Sequence, residues 1–496
     1  MLLGGTAAVH AGPAAIEKAA AAGTPSSSCA SRVNNTFNKL LECVTLDGVR
    51  SHQAVLQAIA DGNGGTRAAG TPGYEQSVMY VAAKLTAAGY DVTLNPFPFV
   101  YVATPRLQQT APIQATYETG AFTGTGYGSV SASVTAVDIN LVPPRVSTSG
   151  CEAADFAGFP VGNIALVQRG TCTFATKALN AEAAGASAVI IFNQGNLPAR
   201  EVLIVGTLAP ATLGIPVVGA SFADGAALAQ PGSTAFIDVN APQNITLNNV
   251  LAESRSGDSN NVVMVGAHLD SVNRGPGIND NGSGSAAILE TALQMAKVNP
   301  RNKLRFAWWG AEEAGLVGST AYVAGLTEAE RTKIALYLNF DMVGSPNHVY
   351  FIYDGDNSDN EGAPAGPPGS AYIEQVFENF YNERGLPHKG TDFSGRSDYG
   401  PFIAIGIPAG GLFSGAEGLK TASEASLFGG MAGVPYDACY HLACDTFSNV
   451  NLEALRVNSH AIAYSTLLFS MNTAPINGKR GKGNFKYPAY KFFETE

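Results

Sequence analysis

Three short apolar runs, at 262–265, 304–309 and 336–340, constrain this chain more than any other feature of its sequence. They are separated by turn-rich segments and by a stretch over 285–297 whose spacing predicts a helix. Runs without polar alternation are buried on both faces, which requires a parallel sheet with helices packed on either side. The expected fold class is therefore α/β, built on a mixed, mostly parallel sheet sandwiched by helices. Ligands in such sheets sit at the carboxyl ends of the strands. The residues that follow each run are where chemistry belongs.

The rest of the 496 residues falls into distinct textures, and the length allows about three domains. Helical spacing prevails over 45–100: Gly73-Tyr74-Glu75 opens a run with Val78, Val81, Ala82 and Leu85, and Gly89 closes it. Asp91-Val92-Thr93-Leu94 then reads as a strand. Between 105 and 240 the chain is rich in Thr, Val, Ser and Gly and nearly devoid of Lys. It carries a strand-turn at 162–172, a helix at about 176–184 and a buried strand at 188–193, the marks of a β-rich module inserted into a larger domain. The expected organisation is a leader or propeptide, partly disordered, over 1–40, and a discontinuous larger domain over 41–104 and 241–475. The insert spans 105–240, and a basic, aromatic tail occupies 476–496.

The balance of 29 basic to 40 acidic residues gives a net charge of -11, which repels phosphate backbones and anionic lipid. Nucleic-acid and membrane partners are not expected, and no apolar stretch approaches the length of a spanning helix. With 46% apolar and 14% charged residues the chain is too hydrophobic to be disordered. Val9-His10-Ala11 has the small-x-small pattern that ends a signal peptide, yet the basic n-region is missing; a clipped signal peptide and an Ala/Gly-rich leader both fit. The six cysteines fall into local pairs, Cys29 with Cys43, Cys151 with Cys172 and Cys439 with Cys444. Many connectivities are open, and nearest-neighbour pairing is the simplest because short loops are cheap to close. No Cys-x-x-Cys supports a zinc-thiolate site. Disulfides in an oxidising compartment, and hence a secreted protein, are expected.

The first apolar run ends in Gly266-Ala267-His268-Leu269-Asp270-Ser271, and Gly277-Ile278-Asn279-Asp280-Asn281-Gly282 lies in the loop that follows. The second ends in Gly310-Ala311-Glu312-Glu313-Ala314-Gly315 and the third in Asp341-Met342-Val343-Gly344. Singly, each has an ordinary reading: a strand-end His bonded to an Asp, a solvated Glu pair, a turn Asp. Together they gather a His and several carboxylates on one sheet edge, where unpaired negative charge repels itself and resists burial. Divalent cations relieve both, and imidazole with carboxylate suits zinc, or less specifically manganese or cobalt.

These segments carry a resemblance, joined by Trp308-Trp309, Asn339-Phe340, Gly395-Arg396-Ser397-Asp398 and Cys439-Tyr440-His441-Leu442-Ala443-Cys444. They resemble the co-catalytic di-zinc aminopeptidase family, the type of aminopeptidase Y and the secreted leucyl aminopeptidases of Streptomyces and Vibrio. The resemblance covers about 45–100 and 240–470, while 105–240 resembles the protease-associated domain often inserted in these enzymes. It implies a zinc exopeptidase fold, two zinc ions per chain and peptide substrates with a free N-terminus. Position by position, Asp280 would bridge the ions, His268 and Asp341 would complete one site, and Glu313 with His441 the other. Glu312 would be the general base, and Asp270 would hold the His268 ring by its other nitrogen. Tyr440 and Arg396 would stabilise the oxyanion and position the substrate. The resemblance also implies a cis peptide between Asp280 and Asn281. A Cys439–Cys444 bridge would clamp the loop carrying Tyr440 and His441. Phe413, in an apolar stretch, looks like a lining of the side-chain pocket, which implies a preference for Leu-like N-terminal residues; a plain core role is the alternative.

His10, His52, His348, His388 and His460 fall outside any such motif and are expected to be ordinary residues. Neither His-Glu-x-x-His nor Gly-x-Ser-x-Gly occurs. Two rivals share the fold. One is a metallo-carboxypeptidase, in which Arg396 would hold a terminal carboxylate. The other is a receptor-like binding protein without chemistry, against which stand ligand positions that are all unsubstituted. A monomer is expected.

Overall fold

The computed structural model describes residues 29, 31–361 and 364–479. The signal-like Val9-His10-Ala11 and nearly all of the basic, aromatic tail lie outside them. The chain divides into two compact units, one of residues up to Phe99 and from Ile245 onward, the other Val100–Asn244.

In the larger unit, helices Leu46–Gly62 and Pro72–Ala88 lead into β1 (Asp91–Tyr101). The second helix starts just before its apolar run, because the Thr71 hydroxyl accepts the Tyr74 amide and Pro72 fits the first turn. Gly89 ends it at φ 96°, a left-handed conformation that glycine adopts without strain. β1 continues past the expected Leu94 through Pro96 and Pro98, which an edge strand tolerates.

The smaller unit carries β2 (Arg106–Ala111), β3 (Ala115–Tyr117), β4 (Gly128–Ala136), β5 (Ile164–Gln168), β6 (Ala188–Phe192), β7 (Val217–Ala220) and β8 (Thr234–Val239). Their order is β3-β2-β8-β4-β5-β6-β7, with β4 to β7 successively parallel. Helices Phe174–Ala183 and Phe222–Leu228 pack on this sheet, and β5 and β6 are buried throughout.

The larger unit resumes with β9 (Gln243–Glu253), β10 (Asp258–His268), β11 (Asn302–Trp309), β12 (Ile334–Phe340), β13 (Phe351–Tyr353), β14 (Lys389–Thr391) and β15 (Ala409–Phe413). Its sheet runs β1-β9-β11-β10-β12-β15-β13-β14. Central β10 is parallel to β11 and β12, and β12 to β15, while β9 and β13 pair antiparallel with their neighbours. Alternation sends Val263, Val265, Phe306, Trp308, Leu336 and Leu338 into a core shared with helices Gly282–Met295 and Leu452–Met471. Met264, Ala307, Trp309 and Tyr337 point the other way, onto Tyr322 and Phe402. Both faces are covered, as the apolar runs require.

The end of the expected leader is part of the fold. Helix Phe37–Cys43, capped by Thr36 and tied back by a Cys29–Cys43 disulfide, buries Phe37 and Leu40 in the main core. Its Ala/Gly/Ser-rich surroundings hid a short amphipathic helix. Cys151–Cys172 and Cys439–Cys444 are also bridged. Among the described residues, no helix is long and apolar enough to cross a membrane.

Candidate metal centre and substrate pocket

The carboxyl ends of the three central strands bring the chemistry together. His268 ends β10, Glu312 and Glu313 follow β11, and Asp341 follows β12. Asp280 stands just before helix Gly282–Met295, joined to its N-cap Asn281 by a cis peptide. The Asn281 side chain locks this corner to the end of β12: it accepts from the Met342 amide at 3.2 Å and donates to the Phe340 carbonyl at 2.9 Å. His268 Nε2 then lies 3.2 Å from Asp280 Oδ1 and 3.2 Å from Asp341 Oδ1. His441 Nε2 lies 3.2 Å from Asp280 Oδ2 and 2.9 Å from Glu313 Oε2. Asp280 thus presents one oxygen to each imidazole.

A second layer orients these groups. The Asp270 carboxylate accepts the amides of Glu312 at 3.1 Å and Glu313 at 3.3 Å. It stands 3.7 Å from His268 Nδ1, whereas its own backbone carbonyl is at 3.2 Å. The ring is nearest the Asp270 backbone carbonyl, and the carboxylate serves the Glu312–Glu313 turn. Asp341 Oδ2 accepts the Ser397 hydroxyl at 2.6 Å, and Asn339, Tyr337 and Trp309 extend that chain of bonds into the core. Arg67 is wholly buried and donates to the carbonyls of Leu269, Pro276 and Gly277, which hold the loop between His268 and Asp280.

The electrostatics test whether cations fit here. Burial and the nearby Asp280 push the Glu313 carboxyl up to about 8, and burial with neighbouring acids pushes Glu312 well above its usual range. Burial opposes the charge on Asp280, yet its bonds from the two histidines prevail and hold it at about 2. Against burial, the bonds from Asp280 and Glu313 raise His441 to about 10. Glu313 Oε1 is buried without a hydrogen-bond partner. His268, Asp280 and Glu313 offer atoms within 4.8 Å of one another, as do His268, Glu312 and Asp341. An excess of buried carboxylate around two imidazoles, with one oxygen orphaned, is a donor set that a divalent cation completes.

Beside these residues opens a pocket of about 570 Å³, whose lining includes Glu312, Asp341, Tyr440 and His441 together with the aromatic Phe351, Tyr353 and Phe413. Phe413 lies parallel to Phe351 at 6.0 Å between ring centroids. Tyr440 stacks on His441 at 3.8 Å. Arg396 stands on the wall, 70% exposed and 3.2 Å from Glu417.

Comparison with known proteins bears on the same residues. Residues 249–466 match peptidase family M28, and 137–228 match the PA domain. An aminopeptidase of Pseudomonas aeruginosa is 51% identical over 449 residues, which covers 88% of this chain and 83% of that protein. The chain belongs to peptidase family M28. Leucine aminopeptidase 2 of Trichophyton rubrum is 47% identical over 348 residues, 67% of the M28 chain and 68% of its relative. Among solved structures, the zinc aminopeptidase BSAP from Bacillus subtilis superposes with a TM-score of 0.56 at 26% identity, covering 85% of this M28 chain and 94% of its own. The zinc exopeptidase fold with a PA insert is thereby established for the M28 chain.

All the residues singled out in the sequence, from His268 to His441, meet at this one place, with Arg396 and Phe413 on the pocket wall. Of the discounted histidines, His52, His348, His388 and His460 do not line it, and His10 lies outside the described residues. Arg67, Ser397, Glu417 and Asp445 received no role from the sequence. Arg67 and Asp445 act through backbone groups, which no side-chain pattern advertises. Ser397 was visible only as a neighbour of Arg396.

Proposed function

We propose that this chain is a secreted di-zinc aminopeptidase that releases N-terminal residues, Leu-like ones above all, from peptides. Asp280 carries the reading: one oxygen faces His268 and the other His441, each at 3.2 Å, while Asp341 and Glu313 close the two sides. A carboxylate shared between two such half-sites suits a pair of ions. The relatives named aminopeptidases support the reaction, and the zinc aminopeptidase from Bacillus subtilis supports the metal. Secretion is supported by three disulfides. In this reading 41–104 and 241–475 form the catalytic domain, 105–240 is the PA insert, and the chain works as a monomer.

Zinc held by these side chains supplies Lewis acidity, polarising the scissile carbonyl and acidifying the attacking water. Glu312 moves the proton: its Oε2, 4.0 Å from His268 Nε2, takes it from water and passes it to the leaving amine. Burial gives that carboxyl the raised basicity the task needs. Tyr440 keeps its phenolic proton, because burial and Asp280 push its pKa up, and so donates to the developing oxyanion. Glu312 and Asp341 receive the substrate's α-ammonium, and the first side chain enters toward Phe413 and Phe351.

The test pairs a Leu-anilide with its N-acetylated form, each with and without a chelator. Only the free amine should be cleaved, and only with metal present. Cleavage of the blocked form would overturn the aminopeptidase assignment, and chelator-resistant cleavage would overturn the metal.

A further inference from the structure

The loop that carries Asp280 and the loop that carries His441 are built as one unit. Cys439 and Cys444 close a short disulfide loop around Tyr440 and His441. A buried aspartate stands just outside each end of it, Asp437 before and Asp445 after. Asp445 Oδ1 accepts the Asn279 amide at 2.8 Å, its Oδ2 accepts the Asp280 amide at 2.9 Å, and its backbone carbonyl accepts the Ile278 amide at 3.1 Å. Three successive amides of the Asp280 loop thus end on one residue. Asp437 Oδ1 accepts the Cys439 amide at 2.8 Å, and its Oδ2 accepts the Asn279 side chain at 2.7 Å. Arg67 grips the same loop through the Gly277 carbonyl at 2.7 Å. The loops also touch directly, for a Cβ on Gly275 would lie 2.3 Å from the Leu442 carbonyl oxygen.

We infer that Asp445 is a positioning residue, assisted by Asp437, that sets the spacing between Asp280 and His441 and with it the half-site formed by Asp280, Glu313 and His441. This rests on the two-ion reading above. The other half-site draws His268 and Asp341 from the ends of β10 and β12, whose spacing the sheet itself maintains. Loss of the Asp445 clamp therefore acts most on the half-site of Asp280, Glu313 and His441, and less on the other, which has Asp280 alone in common with it. In Asp445→Asn, the side-chain amide nitrogen would face one of the two backbone N–H groups, and a donor cannot replace an acceptor there.

The experiment titrates the zinc-loaded full-length protein with a chelator and counts the zinc that remains. Wild type should release two ions. Asp445→Asn should lower, by about 10-fold or more, the chelator concentration that removes one of them, as loss of an outer-shell partner does, and shift the other by much less. Asn449→Ala removes a donor that reaches both Asp437 and Asp445 from a half-buried position, at 3.0 and 3.4 Å. That variant keeps the test available should Asp445→Asn not fold, and should move the same step in the same direction by less. A general loosening of the fold would shift both steps equally, and that result, like no shift at all, would overturn the inference. A wild-type protein that binds one ion only would instead overturn the two-ion reading and this inference with it.

Discussion

Both units of this chain contain a run of parallel strands with helices on the sheet, yet only one of them ends its strands in chemistry. In the larger unit, β10, β11 and β12 give way to His268, Glu312 with Glu313, and Asp341. In the smaller unit, β5, β6 and β7 end in Gln168, Phe192 and Ala220. Gln168 is as buried as His268, but its needs are met: it donates to the carbonyls of Asn140 at 2.9 Å and Gln194 at 3.1 Å, and accepts the Asn140 amide at 2.7 Å. At the other site Glu313 keeps an oxygen without a partner and its carboxyl is pushed up to about 8. A satisfied neutral network holds a strand end in place, whereas an unsatisfied acidic one holds a place for something else. Topology offers the position, and the unmet demand for positive charge makes it a site.

The largest effect should come from Glu312→Gln, which keeps the shape and removes the carboxylate proposed as the base. We expect kcat on a Leu-anilide to fall by about 10²- to 10⁴-fold, the usual worth of a positioned acid–base group, with metal content unchanged. A variant that keeps most of its activity would break the contrast at its centre. Next comes pH. Glu313, raised to about 8, and His441, raised to about 10, must both shed protons before they can bind a cation, so metal and protons compete. Zinc affinity should fall as pH drops from about 8 to about 6, by up to about 10-fold per pH unit for each proton displaced. Competition with a chelator at several pH values measures this, and a flat profile would contradict it. A smaller change is expected from Phe413→Ala, which removes apolar wall from the pocket. The kcat/KM for a Leu substrate should fall by about 10- to 200-fold while that for an Ala substrate changes little. Equal losses on both would return Phe413 to a plain packing role. The smallest catalytic effect belongs to the smaller unit. Gln168→Leu should cost about 1–3 kcal/mol of stability in a urea titration, because the Asn140 and Gln194 groups lose their partners, yet leave kcat/KM of the folded protein unaltered. A loss of activity there would show that the two strand-end networks are not independent.

How much of this was legible beforehand varies with the range of the interaction. The apolar runs at 262–265, 304–309 and 336–340 announced their strands, since burial on both faces needs no knowledge of neighbours. β13 and β14 are too short to show a pattern, and the sequence did not announce them. The ligand candidates stood out because their chemical types are rare in apolar surroundings and recur at strand ends. Asp270 was legible as a residue beside the His268 ring, but which of its groups lies nearest was not, because its carboxylate and its carbonyl belong to the same residue. Residues 31–40 passed for leader because composition, averaged over a window, conceals a helix of a single amphipathic turn or two.

The sequence by itself determined which residues could do the work: local apolar runs, caps and turns dictate strands and helices, and His268, Asp280, Glu312, Glu313, Asp341 and His441 bring their chemistry with them. Only the tertiary structure decided how they meet. That His441, far along the chain, comes within 2.9 Å of Glu313, and that Arg67 and Asp445 both grip the Asp280 loop, depends on contacts between distant segments, among them hydrogen bonds from side chains to backbone groups. One partner in each such bond is a backbone group that every residue possesses, so the order of side chains does not reveal the pairing until the fold has made it.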